Sequence, residues 1–140
     1  MNAHEIDYKI YGEEMQCVEI ELDPQEGVVA EPGSLMYMNQ DIQMDTIFGD
    51  GSKQNSGILG SLLSAGKRVL TGENLFMTVY TNKGFSKSHC TFASPYPGKI
   101  IPMDLSKKGG KVICQKDAFL CAAKGVSVGI EFQKRLGAGF

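Results

Sequence analysis

The sequence predicts an all-β domain, either two packed antiparallel sheets or a flattened barrel of short strands. Three observations carry this. Apolar and polar residues alternate with a period of two rather than 3.6. Turn-forming residues interrupt the alternation at short intervals, the pattern of a sandwich or barrel. The chain has 140 residues, 42% apolar and 21% charged, which is enough for one hydrophobic core without disulfide or metal staples and excludes global disorder.

In order along the chain, Ile6, Tyr8 and Ile10 alternate with Asp7 and Lys9. Val18, Ile20 and Leu22 alternate with Glu19 and Glu21, and Ile42 and Met44 with Gln43 and Asp45. Each reads as a strand with one wet and one dry face. Further short strands are predicted at 28–30, 35–38, 75–80, 99–103, 112–114, 118–122 and 126–132, which are richer in apolar residues. Turn chemistry separates them at Asp23-Pro24, Pro32-Gly33, Asn82-Lys83-Gly84, Pro95 to Gly98 and Gly109-Gly110, where Pro presets φ and Gly and Asn tolerate positive φ.

One stretch breaks the pattern. Residues 49–57 are polar and glycine-rich and predict a flexible loop. Ile58, Leu59, Leu62 and Leu63 follow at helical spacing, so the one expected helix covers 58–65, capped by Asn55 or Ser56 and stopped near Gly66. Two turns cannot stand alone. These four side chains are therefore candidates to cover a sheet face, a barrel mouth or a neighbouring subunit. A weak internal repeat aligns Val28–Met36 with Val112–Leu120 at an offset of 84 residues, as a duplicated β unit would.

The net charge of −2 conceals an asymmetry. Residues 1–50 carry twelve acids and one base, Lys9, for a net −11, while residues 51–140 are net +9. The two parts can neutralise each other within the fold. Alternatively, an acidic face of one subunit meets a basic face of the next. A basic face for nucleic acid or anionic lipid fits less well, because no stacking aromatics interleave with the lysines. The four cysteines, Cys17, Cys90, Cys114 and Cys121, lack CxxC or zinc-knuckle spacing. Cys17, Cys114 and Cys121 sit in apolar stretches and are expected to behave as small buried hydrophobes. The first residues carry neither a basic nor an apolar stretch, so no signal peptide is read, and reduced thiols in a cytoplasmic setting are expected. No apolar run approaches the ~20 residues of a membrane-spanning helix.

Candidate chemistry is sparse. Gly60 to Gly66 followed by Lys67-Arg68 resembles a phosphate loop, but five residues separate the glycines and Arg68 replaces the metal-binding hydroxyl. His89-Cys90 is the sole His/Cys neighbour pair. Neighbours on a strand point to opposite faces and do not form a nucleophile–base pair. Glu31 and Glu73 each sit in a tight turn, and acid–base work would require them to converge in a cleft, with or without His89. No cofactor motif and no dense His/Glu metal cluster is present. Met36, Met38 and Met44 are expected to fill the core.

The order of motifs carries a family resemblance. Gly27 to Met38, Ile42 to Thr46, the glycine-rich loop with its helix, Arg68 to Phe76 and Pro97 to Leu105 together resemble the family once called domain of unknown function 124 and also named for a yeast altered-inheritance-of-mitochondria protein. Asn74 departs from the small residue expected after Gly72-Glu73. The resemblance implies an all-β fold similar to the tryptophan RNA-binding attenuator protein, with pseudo-symmetric repeats and a tendency to homo-oligomers. That likeness is one of fold, and fold does not carry function. No catalytic residues come with it. Family members are usually longer, and Gln133 to Phe140 resembles the start of another repeat, so the chain reads as a shortened member ending at a repeat boundary.

The sequence therefore leads to one all-β domain over 1–140, acting in the bacterial cytoplasm as a non-enzymatic homo-oligomeric binding or scaffold module, with a further protein partner possible and without cofactor or specific nucleic acid. The interface is expected at Ile58, Leu59, Leu62 and Leu63 or at a strand edge. The alternatives are a small enzyme using Glu31, Glu73 or His89, and an RNA-binding module.

Overall fold

The computed structural model describes residues 3–48, 76–115 and 117–129. Within them the chain forms β1 (Asp7–Tyr11), β2 (Cys17–Leu22), β3 (Gly27–Ala30), β4 (Leu35–Met38), β5 (Ile42–Phe48), β6 (Phe76–Asn82), β7 (Ser88–Ala93), a 3-10 helix (Leu105–Lys108) and β8 (Cys121–Ala123). The strands make two four-stranded sheets, ordered β1-β2-β7-β4 and β5-β6-β3-β8, with every strand pairing antiparallel. The sheets pack face to face and do not close into a barrel, so of the two expected architectures the sandwich is the one formed.

Alternation places the core. Val18, Ile20 and Leu22 of β2 and Cys90 and Phe92 of β7 point inward from the first sheet. They meet Val28 and Ala30 of β3, Ile42 of β5 and Tyr80 of β6 from the second. The Tyr80 and Phe92 rings pack edge to face across the two sheets, with centroids 5.0 Å apart. The second sheet is dry on its other side as well. There Val29, Met77 and Val79 form a separate buried cluster against Ile47, Phe119 and Val128. This accounts for the unbroken apolar run Val28-Val29-Ala30, since an inner strand covered on both faces loses its polar alternation.

Asn82 joins the sheets. It is fully buried at the end of β6. Its Nδ2 donates to the Leu22 carbonyl (2.9 Å) in the other sheet and to the Ser86 carbonyl (2.8 Å), while its Oδ1 accepts from the Gly84 N–H (2.9 Å). One side chain thus ties the β6–β7 turn to the end of β2. At the β1–β2 turn, Gly12 has φ +95°, and a Cβ there would stand 2.4 Å from the Met15 carbonyl oxygen, so glycine is required.

Several expectations need correction. Residues 99–103 and 112–114 form no strand, nor do 126–129; the expected strand at 118–122 is the short β8 at Cys121–Ala123. Pro102 has no N–H for a ladder, Gly109 and Gly110 both take positive φ, and the β3 edge that a further strand would need is occupied by β8. The two segments of the proposed repeat consequently differ: Val28–Ala30 is an inner strand and Val112–Cys114 is irregular. Strand β7, the inner partner of both β2 and β4, is missing from the expected set. Met36, Met38 and Met44 do not fill the core; they are 56%, 37% and 53% exposed, because β4 and β5 are edge strands. Cys114 is also exposed, and the fully buried thiol is Cys90. The expected helix at 58–65, with Ile58, Leu59, Leu62 and Leu63, lies outside the described residues, as does Glu73.

Candidate functional site

The polar constellation with the most interactions lies on the outer face of the β1-β2-β7-β4 sheet. Because Ile20 and Cys90 point inward, their neighbours Glu21 and His89 must point outward, and the β2–β7 register sets these two directly opposite each other. His89 Nε2 is 3.2 Å from Glu21 Oε2. Lys87 Nζ donates to Glu21 Oε1 at 2.5 Å and lies 3.8 Å from Asp23 Oδ1. The hydrogen bond from Lys87, aided by its charge and by His89, holds the Glu21 carboxyl below the usual carboxylate range, against a smaller opposing effect of burial. The same bond raises the Lys87 ammonium. The His89 backbone is fixed by Asn39, whose Oδ1 accepts from the His89 N–H at 2.6 Å.

One residue pair along the sheet, Lys9, Glu19, Thr91 and Tyr37 form a row across all four strands. The Tyr37 hydroxyl donates to Glu19 Oε2 at 3.3 Å. These residues are two strands apart, roughly 10 Å in backbone spacing, so the phenol leans across β7 above Thr91. That roof explains why Thr91, on the outer face, is only 1% exposed. Its Oγ1 is buried without a hydrogen-bond partner.

The sequence candidates separate in space. Glu31 occupies the exposed turn after β3. Its N–H donates to the Leu120 carbonyl, and its carbonyl accepts from the Ser34 N–H and hydroxyl, which is the turn-forming role. His89 and Cys90 do face opposite sides, as the strand argument requires. Burial pushes the Cys90 thiol up to about 12, with a smaller contribution from Cys121, itself raised to about 12 by burial. A neutral, fully buried thiol is not a nucleophile. His4 has a role its position did not suggest: its Nδ1 accepts from the Gly27 N–H at 3.0 Å, and its backbone N–H donates to the Lys124 carbonyl at 2.8 Å. Among the described residues no three His, Cys, Asp or Glu side chains are placed to hold a metal ion, and no helix is long and apolar enough to cross a membrane.

Glu21 was legible as an outward-facing acid, but not as the partner of His89, 68 positions away. Chemically, both Glu21 oxygens are already engaged, which makes a poor general base and a good fixed, charged surface. The fold and this face define an all-β sandwich with a polar constellation on the outer face of one sheet. The mitochondrial biogenesis AIM24 family model matches residues 8–140, and the chain belongs to that family. A crystal structure of a Streptococcus pyogenes protein is similar at 19% identity and a TM-score of 0.48, covering 69% of this chain and 41% of that one. The chain thus spans about two fifths of the length of that protein. No curated protein matches significantly.

Proposed function

We propose that this chain is a non-enzymatic, homo-oligomeric binding or scaffold module. The observation that most supports the reading is the edge made by β4 and β5. Among the described residues these strands are consecutive, and each is the last strand of its sheet. Among the described residues, the edge exposes Met36, Met38 and Met44. An open edge presents unpaired N–H and C=O groups that folded proteins rarely leave unmanaged, and methionine makes adaptable apolar contacts. Ile58, Leu59, Leu62 and Leu63 remain interface candidates on their helical spacing. The engaged carboxylate of Glu21 and the buried thiol of Cys90 favour binding over catalysis. The likeness to the tryptophan RNA-binding attenuator protein belongs to this reading as a relation of fold, without RNA binding, and the bacterial cytoplasm is the compartment it assumes.

Sedimentation velocity on the full chain at tens of micromolar tests the reading. A homo-oligomer is expected, weakened only modestly by raised salt, because apolar burial holds the contact while charge steers it. Leu62→Asp with Leu63→Asp should dissociate it or unfold the chain. A stable wild-type monomer would overturn the proposal.

A further inference from the structure

His4 interrupts the β3–β8 ladder at its end. The register that pairs Val28 with Ala123 sets Gly27 opposite Lys124, and the Lys124 N–H donates to the Gly27 carbonyl at 2.9 Å. Residues paired in this way across antiparallel strands normally exchange both bonds, so the Gly27 N–H would return to the Lys124 carbonyl. It goes instead to His4 Nδ1 at 3.0 Å, and the Lys124 carbonyl accepts from the His4 backbone N–H at 2.8 Å. His4 thus inserts one acceptor and one donor between the strands, and His4, Lys124 and Gly27 close a ring of hydrogen bonds. The insertion also joins the sheets. Ile6 packs on the main core, and β1 begins at Asp7 in the β1-β2-β7-β4 sheet. Residues 3–6 therefore cross from the end of one sheet to the first strand of the other.

The bond to Gly27 fixes the state of the imidazole. A backbone N–H only donates, so Nδ1 presents its lone pair and the neutral ring carries its proton on Nε2. A second proton can go only to Nδ1. It would set one N–H against another, and the bond to Gly27 would be lost. Contacts made through the Nε2 proton are of the same kind in both states, so the demand falls on Nδ1. Gly27 is buried, and a buried N–H without its partner is costly. Among the described residues, the charged groups on the segments that meet here are Glu5, Glu26 and Lys124. The Lys124 stem lies over Gly27, where a Cβ would stand 3.0 Å from its Cδ, and its charge opposes an imidazolium. Glu26 Oε2 accepts from the Asp23 N–H at 2.8 Å within its own turn. Glu5 is exposed, where water and salt screen its attraction for a cation.

We infer that His4 is a pH-sensitive latch: its neutral imidazole holds residues 3–6 across the end of β3 and β8, and protonation at Nδ1 releases them. Imidazoles change charge between about pH 5 and 8, so the latch is closed at the upper end of that range and opens toward the lower. The stabilisation is present while the ring is neutral and is lost as pH falls. An asparagine would close the same ring without this response, because its Oδ1 stands where Nδ1 stands and does not titrate. The latch is independent of the homo-oligomer reading, since every contact in it lies within one chain.

The test is hydrogen exchange of the full chain, read by mass spectrometry at about pH 8 and about pH 5, with each rate referred to the unfolded chain at the same pH. Wild-type peptides containing His4 and Gly27 should lose at least about ten-fold in protection at the lower pH, while those from β2 and β7 keep theirs. His4→Asn should retain the protection at both pH values, and His4→Ala should lack it at both. Long-range proton–nitrogen NMR of the wild type should find Nδ1 unprotonated at the upper pH. The inference falls if Nδ1 carries the proton there, or if wild-type protection at His4 and Gly27 is the same at both pH values. It falls equally if His4→Asn loses protection as the wild type does, or if His4→Ala keeps it.

Discussion

Replacing Asn82 with alanine should be among the most damaging single changes in the sandwich. The residue is completely buried and its amide makes three hydrogen bonds, to the Leu22 and Ser86 carbonyls and from the Gly84 N–H. A neutral hydrogen bond contributes a net of about 1 kcal/mol, and a buried group left without its partner costs about 1–3 kcal/mol. Leu22 and Ser86 would lose an acceptor contact each and Gly84 a donor contact. Relaxation of the 83–87 turn would let water reach Ser86 and Gly84, but the Leu22 carbonyl lies at the core end of β2. A loss of about 3 kcal/mol follows, equivalent to roughly 10 °C in Tm for a domain of this size. Asn82→Asp should cost at least as much at neutral pH, because it sets a carboxylate against two carbonyl oxygens. Urea unfolding followed by far-ultraviolet circular dichroism, with the m-value unchanged, reads the effect directly. A loss under about 1 kcal/mol for Asn82→Ala would show that the three bonds do not lock the sheets together, and the account of how β7 is positioned would fail with it.

Two further outcomes follow from the same contacts. In the native protein at pH 8, a thiol reagent such as Ellman's should modify Cys114 quickly and leave Cys90 and Cys121 untouched until denaturant is added, since burial raises both thiols to about 12; rapid labelling of Cys90 would refute its placement in the core. The hydrogen bond from Lys87 holds the Glu21 carboxyl below the usual carboxylate range, so its ionised form stabilises the fold above that range and the contribution is lost as pH falls through the lowered pKa. The stability difference between wild type and Glu21→Gln should therefore be present at pH 7 and shrink as pH falls below the usual carboxylate range, and a difference that grows toward acid would contradict the pairing.

How much was legible divides along physical lines. Strands with one wet face announce themselves, and β1, β2 and β5 follow from their alternation. The turns at Asp23-Pro24, Pro32-Gly33 and Gly109-Gly110 lie where their φ preferences require. Strand β7 was obscured because Ser88-His89-Cys90-Thr91-Phe92-Ala93 pairs a weakly apolar inner row with a polar row that the fold roofs over. Its burial comes from Tyr37 and from the opposite sheet, not from its own composition. The methionine error has the same origin in reverse. Leu35 to Met38 is apolar enough for an inner strand, yet edge position is a property of sheet order, which depends on pairings such as β7 with β4 across more than fifty residues. The Glu21–His89–Lys87 constellation was likewise beyond local reading, since it exists only through the β2–β7 register. Residues 99–103 and 112–114 read as strands on their apolar content, but that content does not say which strand remains to pair with them, and β8 occupies the edge of β3.

The two sheets are not equivalent, and that difference limits where this protein can meet a partner. The β5-β6-β3-β8 sheet is dry on both sides: Val28, Ala30 and Tyr80 enter the main core, while Val29, Met77 and Val79 enter a second cluster with Phe119 and Val128. Its faces are therefore spent on stability. The β1-β2-β7-β4 sheet spends only one face. Its other face carries the outward acids of β1 and β2, which the period-two alternation places there without reference to any partner. Part of the charge excess of the first fifty residues thus becomes a directional property of the fold: alternation places Asp7, Glu19 and Glu21 on one side of one sheet, with Lys9 among them and Lys87 paired to Glu21. The outward side of that sheet is therefore a rigid charged surface among the described residues, because strand register and not loop conformation fixes where Asp7, Glu19 and Glu21 stand.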